Sequence, residues 1–330
     1  MNTKDILLKT LAESGENYVS GAVLAERLGV SRNAVWKAVK ALESDGFTID
    51  SATSKGYRIS GENNRLSGEL ISAHLSTETM GRNIIVYDEV ESTNTTAKEL
   101  AHSGAVDGTV IVADRQNGGR GRLGRSFVSP SGTGIYMTAI IRPEFSIETA
   151  SLITSAVSCA VAEAVEKQCG ESTGIKWVND IYMNGRKICG ILTEASMGLE
   201  MKSLDYAVIG IGINVRKYDF GSELSSIVTD IESETGKKVD RNLLCAEVIN
   251  GLERCIKGIE SRDYLKEYRS REILTGNNIS AFVNGTKIFG KAVGIDDNAN
   301  LILKLPDGTE KHLVSGEASL CRIDSRLLAK

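Results

Sequence analysis

Cysteine is sparse and histidine nearly missing. Six thiols (Cys159, Cys169, Cys189, Cys245, Cys255 and Cys321) include no C-x-x-C pair, and the three histidines, His74, His102 and His312, are far apart. Zinc fingers, disulfide scaffolds and histidine metal sites lose their ground. Long apolar runs are also lacking. The longest, 153–165 and 207–215, fall short of the about 20 residues that cross a bilayer. The opening Met1-Asn2-Thr3-Lys4-Asp5 is polar and carries no signal core. Nor is there a chain-wide basic field: 39 basic residues face 43 acidic ones, a net charge of −4. Nucleic acid, if bound, must be met by a local patch. These absences predict a cytoplasmic enzyme or regulator that makes no membrane contact.

What is present is enough for two or three domains, in 330 residues that are 41% hydrophobic and 25% charged. Residues 1–63 read as a winged helix-turn-helix. Ile6, Leu7 and Leu11 sit at helical spacing, and a short helix over 21–28 would bury Val23, Leu24 and Leu28. Gly29-Val30 makes a tight turn, and Ser31 caps a third helix whose Val35, Val39 and Leu42 form one face. Strands at 47–50 and 57–59 would form the wing. Six basic residues against three acidic ones between 27 and 58 give this stretch a net charge of +3 inside an acidic chain. Ser31, Arg32, Asn33 and Trp36 open the third helix, where a recognition helix reads bases. Arg32 and Asn33 are the base-contact candidates, and Lys37, Lys40 and Lys55 suit phosphates.

Residues 66–272 alternate strands and helices in a mixed order that predicts an α+β fold rather than a doubly wound sheet. Strands are expected at 84–87, 109–114, 135–141, 175–178, 187–194 and 207–215, and helices at 95–101, 151–167 and 243–259. Residues 276–324 read as a small barrel of short strands, 278–283, 287–295, 301–305 and 311–314, punctuated by Asn284-Gly285 and Pro306-Asp307-Gly308.

Chemistry concentrates in the central piece. Gln116–Arg125 holds four glycines and three arginines in ten positions, yet it is neither a Walker A loop nor a dinucleotide fingerprint. Glycine lets backbone approach a ligand closely, and forked, permanently charged arginine suits phosphate or carboxylate. The combination describes a mobile anion clamp. Downstream, Asn184-Gly185 signals a two-residue hairpin turn. Counting back pairs Met183 with Arg186, Tyr182 with Lys187 and Asp180 with Cys189. Asp180, Tyr182, Lys187 and Cys189 would then share a face, with Asp180 and Lys187 roughly 7–8 Å apart on a diagonal. An acid and an ammonium there suit a metal–phosphate group; a surface ion pair has the same spacing. Ser92, Thr93 and Asn94 precede a helix, where they can cap it or bind an uncharged polar ligand such as a urea. Asn214, ending a buried strand with Gly210 and Gly212, could reach a ligand.

Together these residues resemble the bifunctional biotin protein ligase and biotin operon repressor family. The resemblance spans nearly the whole chain. It is most specific at Gly119-Arg120-Gly121-Arg122-Leu123-Gly124-Arg125 and Lys176-Trp177-Val178-Asn179-Asp180, followed by 185–192. It implies an N-terminal winged helix, a central mixed-sheet ligase domain like that of class II aminoacyl-tRNA synthetases, and a C-terminal SH3-like barrel. By the same resemblance Ser92, Thr93, Asn94, Gln116, Arg120, Gly121, Arg122 and Lys187 bind biotin or its adenylate, and Gly190 lies along the biotin ring. Asn179 and Asp180 serve ATP and Mg2+, and Lys187, Arg122 and Asp180 carry the catalysis. The implied partners are a biotin carboxyl carrier protein, operator DNA and a second copy in a ligand-promoted homodimer. Two positions depart from the family: Val178 replaces a usual Pro, and Phe127 stands where an adenine-stacking Trp is common, keeping a π-face with less area. A lipoate-type adenylating ligase, or a ligand-sensing repressor without catalysis, would share many of these features.

Overall fold

The computed structural model of the chain describes residues 2–60, 64–197, 204–283, 285–314 and 316–320. The linker residues 61–63, the turn residue Asn284 and residues 321–324 of the expected barrel lie outside the described residues.

The N-terminal unit runs α1 (Thr3–Glu13), α2 (Gly21–Leu28), α3 (Arg32–Ser44), β1 (Ile49–Ala52) and β2 (Gly56–Ile59). Gly29 takes the left-handed conformation (φ 64°) that ends α2, and the Ser31 hydroxyl accepts the Ala34 N–H at 3.2 Å to start α3. Leu7, Leu11, Leu24, Val35, Val39 and Leu42 close the core, and β1 and β2 pair as an antiparallel hairpin. Val23 does not join them and is exposed. It stands about 100° around the helix from the inward Leu24.

The central unit begins with α4 (Gly68–Ser72), β3 (Ile84–Val90), α5 (Thr93–His102), β4 (Val110–Gln116) and β5 (Gly134–Ile141). It continues through α6 (Ile147–Ala150), α7 (Ile153–Cys169), β6 (Gly174–Lys176), β7 (Asp180–Met183), β8 (Arg186–Met197) and β9 (Leu204–Asn214). Short helices α8 (Gly221–Leu224) and α9 (Ile231–Thr235) lead to α10 (Arg241–Lys257) and α11 (Tyr264–Arg271). The sheet order is β3-β4-β5-β9-β8-β7-β6, with β3 and β4 parallel and the other neighbours antiparallel. This is the expected α+β arrangement. Alternation along the strands sends Val110, Val112, Ile209 and Ile211 into the core with α7 and α10, and Ile111, Ile140 and Val208 to the opposite face under α5.

Residues 147–169, counted across α6 and α7, are long and apolar enough to cross a membrane, against the expectation that no stretch is. Their apolarity serves the interior: α7 is buried over most of its length between the sheet and α10, and Gly170 (φ 70°) ends it.

The C-terminal unit comprises β10 (Asn278–Val283), β11 (Thr286–Ile295), β12 (Leu301–Lys304), β13 (Glu310–Leu313) and β14 (Glu317–Leu320), antiparallel in the order β13-β12-β11-β10-β14. The sequence pattern missed β14, whose four residues alternate but offer only Ala318 and Leu320 as apolar positions, too short a run to stand out. Trp177 bridges to this sheet, donating its indole N–H to the Ala299 carbonyl at 3.0 Å.

Arg241, buried at the start of α10, ties the linker to the sheet. It donates to Asp114 Oδ1, Asn64 Oδ1 and the Gly134 carbonyl, each at 2.8 Å, and to the Asn64 carbonyl. Asp114 in turn accepts the Gly132 N–H at 3.0 Å. Replacing Arg241 with Met should therefore leave a carboxylate and two carbonyls uncompensated and cost about 3–5 kcal/mol in urea unfolding. A wild-type midpoint would show that the network contributes nothing.

Candidate functional site

Between α5 and the sheet lies a cleft of about 850 Å3, mouth included, lined by Ser92, Thr93, Asn94, Gln116, the strap 120–127, Asn179, Asp180, Lys187, Gly190 and the glycines of β9. Its polar end is built where β3 turns into α5. Ser92 occupies the N-cap position but makes no side-chain cap hydrogen bond, so its hydroxyl is not spent on the helix. Gln116 ends β4 beside it. Its Oε1 accepts the Thr93 N–H at 2.8 Å and the Thr93 hydroxyl at 3.1 Å, and its Nε2 donates to the Ser129 hydroxyl at 2.9 Å. Asn94, 5% exposed, donates Nδ2 to the Leu192 carbonyl at 3.2 Å and to Glu194 at 2.8 Å.

The cationic end comes from the strap and the β7–β8 hairpin. The strap folds back on itself: Gly121 donates to the Arg125 carbonyl at 2.7 Å and Phe127 to the Gly119 carbonyl at 2.9 Å, leaving Leu123 70% exposed at the tip. Arg120, Arg122 and Arg125 all line the cleft, and Arg122 donates to Asn179 Oδ1 at 3.2 Å. Lys187 donates to Asp180 Oδ1 at 2.7 Å, each side chain about one-fifth exposed. The Lys187 backbone is pinned by the pairing of Lys187 with residues 227 and 229. Asn179 is locked to Ile191 through both its backbone and its amide, and the preceding Trp177–Val178 peptide is cis.

Two sequence expectations fail here. Cys189 is not opposite Asp180; it pairs with Ile181 and is fully buried in the core. A bulge between Ile181 and Tyr182 gives β8 one extra residue, Ile188, so Gly190 takes the place facing Asp180. Burial also pushes the Cys189 thiol well up, as suits an inert core residue. Asn214 does not reach the cleft either: its amide donates to the Thr229 carbonyl at 3.0 Å and tethers the segment after β9.

Other parts of the site were missed. The two glycines of β9 are hollows for cleft side chains, since a Cβ on Gly210 would lie 2.0 Å from Asn94 Oδ1 and one on Gly212 2.6 Å from the Phe127 ring. Phe127 thus rests on Gly212 and Gly190, with its edge toward Tyr136 at 6.4 Å. Burial pushes the Tyr136 hydroxyl up to about 12, so it stays a neutral donor, and it holds the Pro130 carbonyl at 2.9 Å. Thr138, wholly buried on β5, places its hydroxyl 2.7 Å from Asn94 Oδ1 and 2.8 Å from Thr93 Oγ1. A polar residue at an interior strand position was the available signal. Among the described residues no cluster of three acidic, histidine or cysteine side chains assembles. A divalent cation would rest mainly on phosphate oxygens, with Asp180 as its one carboxylate, which is how Mg2+ is commonly held.

On α3, Arg32, Asn33, Lys37 and half-exposed Trp36 (50%) face outward together. Two expected contacts are engaged within the fold: the Ser31 hydroxyl serves as the cap, and Lys40 pairs with Glu43 at 2.6 Å. Lys55 lies in the wing turn, 5.9 Å from the centre of the Tyr18 ring.

Gly210→Ala should cost about 1–3 kcal/mol in denaturant unfolding, because the added methyl meets an amide that its own hydrogen bonds hold in place. Unchanged stability would show that Asn94 moves freely.

Comparison with known proteins agrees with this construction. The Biotin/lipoate A/B protein ligase family model matches residues 86–214, an HTH domain model matches 4–58, and the Biotin protein ligase C terminal domain model matches 278–321. The bifunctional ligase/repressor BirA of Bacillus spizizenii is 38% identical over 316 residues, 92% of this chain and 95% of that protein. The Escherichia coli protein of the same name is 30% identical, covering 97% and 98%. A biotin protein ligase from Aquifex aeolicus, solved in complex with biotin and ATP, superposes with a TM-score of 0.63 at 30% identity, over 73% of this chain and 99% of that one. The chain belongs to the bifunctional ligase/repressor BirA family.

Proposed function

We propose that this chain activates biotin with ATP, transfers it to a lysine of a biotin carboxyl carrier protein, and, in its adenylate-bound homodimer, represses transcription at operator DNA. The observation that carries the reading is the convergence in one cleft of an uncharged polar end, 92–94 with Gln116, and a cationic end, the arginine strap with Lys187. Biotin has the matching halves, a cyclic urea and a carboxylate.

In the first step a biotin carboxylate oxygen attacks the α-phosphorus of ATP, and the bond to the β-phosphate oxygen breaks, releasing pyrophosphate. Two anions must meet while a third leaves. Arg120, Arg122 and Lys187 offset that charge as it moves, and Asp180 keeps the Lys187 ammonium aimed. Asn179 and Asp180 would hold Mg2+ together with the phosphates, where the ion supplies further charge neutralisation. The adenosine base meets Phe127, and the ring of biotin runs along Gly190. The product is a mixed anhydride that water destroys, so a strap closing over it protects it. In the second step the carrier lysine, as the free amine, attacks the acyl carbon; an amide forms and AMP leaves. No nucleophile of the chain is consumed, in keeping with thiols that, among the described residues, are buried or partly buried.

We assign residues 1–63 to operator binding, 66–272 to catalysis and 276–324 to a C-terminal barrel. Arg32 and Asn33 read bases beside Trp36, and Lys37, Lys40 and Lys55 meet phosphates. A two-fold dimer matches a palindromic operator. The free cysteines among the described residues support a cytoplasmic location.

Pyrophosphate release measured with biotin, lipoate and octanoate in parallel should respond to biotin alone. Release with lipoate instead, or with none of the three, would replace the reading by a lipoate-type ligase or a catalytically silent repressor. Lys187→Ala should lower that rate by about 10²–10³ while leaving the melting temperature in place. In gel-shift titrations, operator binding should require biotin and ATP. Arg32→Ala should weaken it by about 1–3 kcal/mol at particular base pairs, and Lys37→Ala should reduce the salt slope by about 1 without changing sequence preference. Equal loss on every sequence for Arg32→Ala would remove it from base contact.

A further inference from the structure

Asn94 raises a question of orientation. Its side-chain amide has the same shape when its oxygen and nitrogen are exchanged, and Thr138, whose hydroxyl both donates and accepts, is indifferent to the choice. Something else must decide which atom faces Thr138 and the cleft. The Leu192 carbonyl accepts only, at a long 3.2 Å. The second acceptor is Glu194 Oε2, at 2.8 Å, whose other oxygen receives the Lys98 ammonium at 2.5 Å.

From this we infer that Lys98 and Glu194 are positioning residues of the cleft: they fix the Asn94 amide with its nitrogen turned away and its oxygen presented as an acceptor. The inference rests on the function proposed above, and it says how the polar end selects a urea. A cyclic urea brings N–H donors, which an outward oxygen accepts and an outward NH2 repels. A dithiolane or alkyl chain brings none and gains nothing from the orientation.

Three observations carry the inference. Lys98 lies four residues after Asn94 on α5, so both side chains fall on one helix face, and Glu194 reaches both from β8. Gly210 leaves the hollow in which the Asn94 amide sits, so the plane of the group is held and only the exchange of its oxygen and nitrogen stays open for Glu194 to decide. Third, the charge state is maintained. Burial opposes ionisation of Glu194, but hydrogen bonds from Lys98 and Asn94, with the positive charges of Lys98 and Arg120, more than reverse it and hold the carboxyl below its usual range. An ionised carboxylate cannot donate to the amide oxygen. A protonated acid or a glutamine can, and it would tolerate the flipped amide.

The test is titration calorimetry of biotin and of octanoate, without ATP, on the full-length wild type, Glu194→Gln, Lys98→Met and Lys98→Arg. The biotin Kd should rise at least tenfold in the first two variants and stay near wild type in Lys98→Arg, while octanoate binding changes less than twofold in all. In turnover the biotin KM should rise in parallel, with kcat at saturating biotin within twofold. Biotin affinity unchanged in Glu194→Gln and Lys98→Met, with the wild type binding normally, overturns the inference alone. Equal losses for biotin and octanoate with a lowered unfolding midpoint also overturn it, by making the pair merely structural. Wild-type protein that binds no biotin overturns the functional reading and this inference with it.

Discussion

Strand β8 carries one residue more than β7 between two of their pairings, Tyr182 with Lys187 and Ile181 with Cys189. The extra residue, Ile188, reverses the facing of everything beyond it. Lys187 and Gly190, three positions apart, therefore both address the cleft, while Ile188 and Cys189 both fall into the core. Without that bulge a thiol would occupy the floor where Gly190 now lies beside Phe127. The acid–ammonium pair would still form, but beside the wrong neighbour.

The remaining construction follows from the demands of charge and of hydrogen bonding. Cations are supplied from two directions, a strap folded back on its own backbone hydrogen bonds and a hairpin pinned by its pairing with residues 227 and 229. The polar end is held differently, by a chain of side chains from Ser129 through Gln116, Thr93, Thr138 and Asn94 to Glu194 and Lys98. Such a network lends orientation to groups that in isolation would rotate.

The linker joins this apparatus to the N-terminal unit through a buried guanidinium. Arg241 grips Asn64 on one side and Asp114 on the other, and Asp114 holds Gly132 just past the strap. The strap root and the linker thus share partners within a few residues. Trp177 makes a comparable tie to the C-terminal sheet through Ala299.

Local chemistry, written in runs of neighbouring residues, was legible from the amino-acid sequence alone. The helix-turn-helix with its Ser31 cap and Gly29 turn, the limits of β10, the arginine strap and the Asn184-Gly185 hairpin all depend on residues a few positions apart. Tertiary packing decided the rest. Which way β8 faces after Lys187 depends on where Ile188 and Cys189 find apolar neighbours under α7. The functions of Gly210, Gly212, Thr138, Lys98 and Glu194 depend on what stands opposite them on strands and helices distant in sequence. A glycine or a threonine carries no mark of the side chain it will accommodate; only the folded sheet brings the two together.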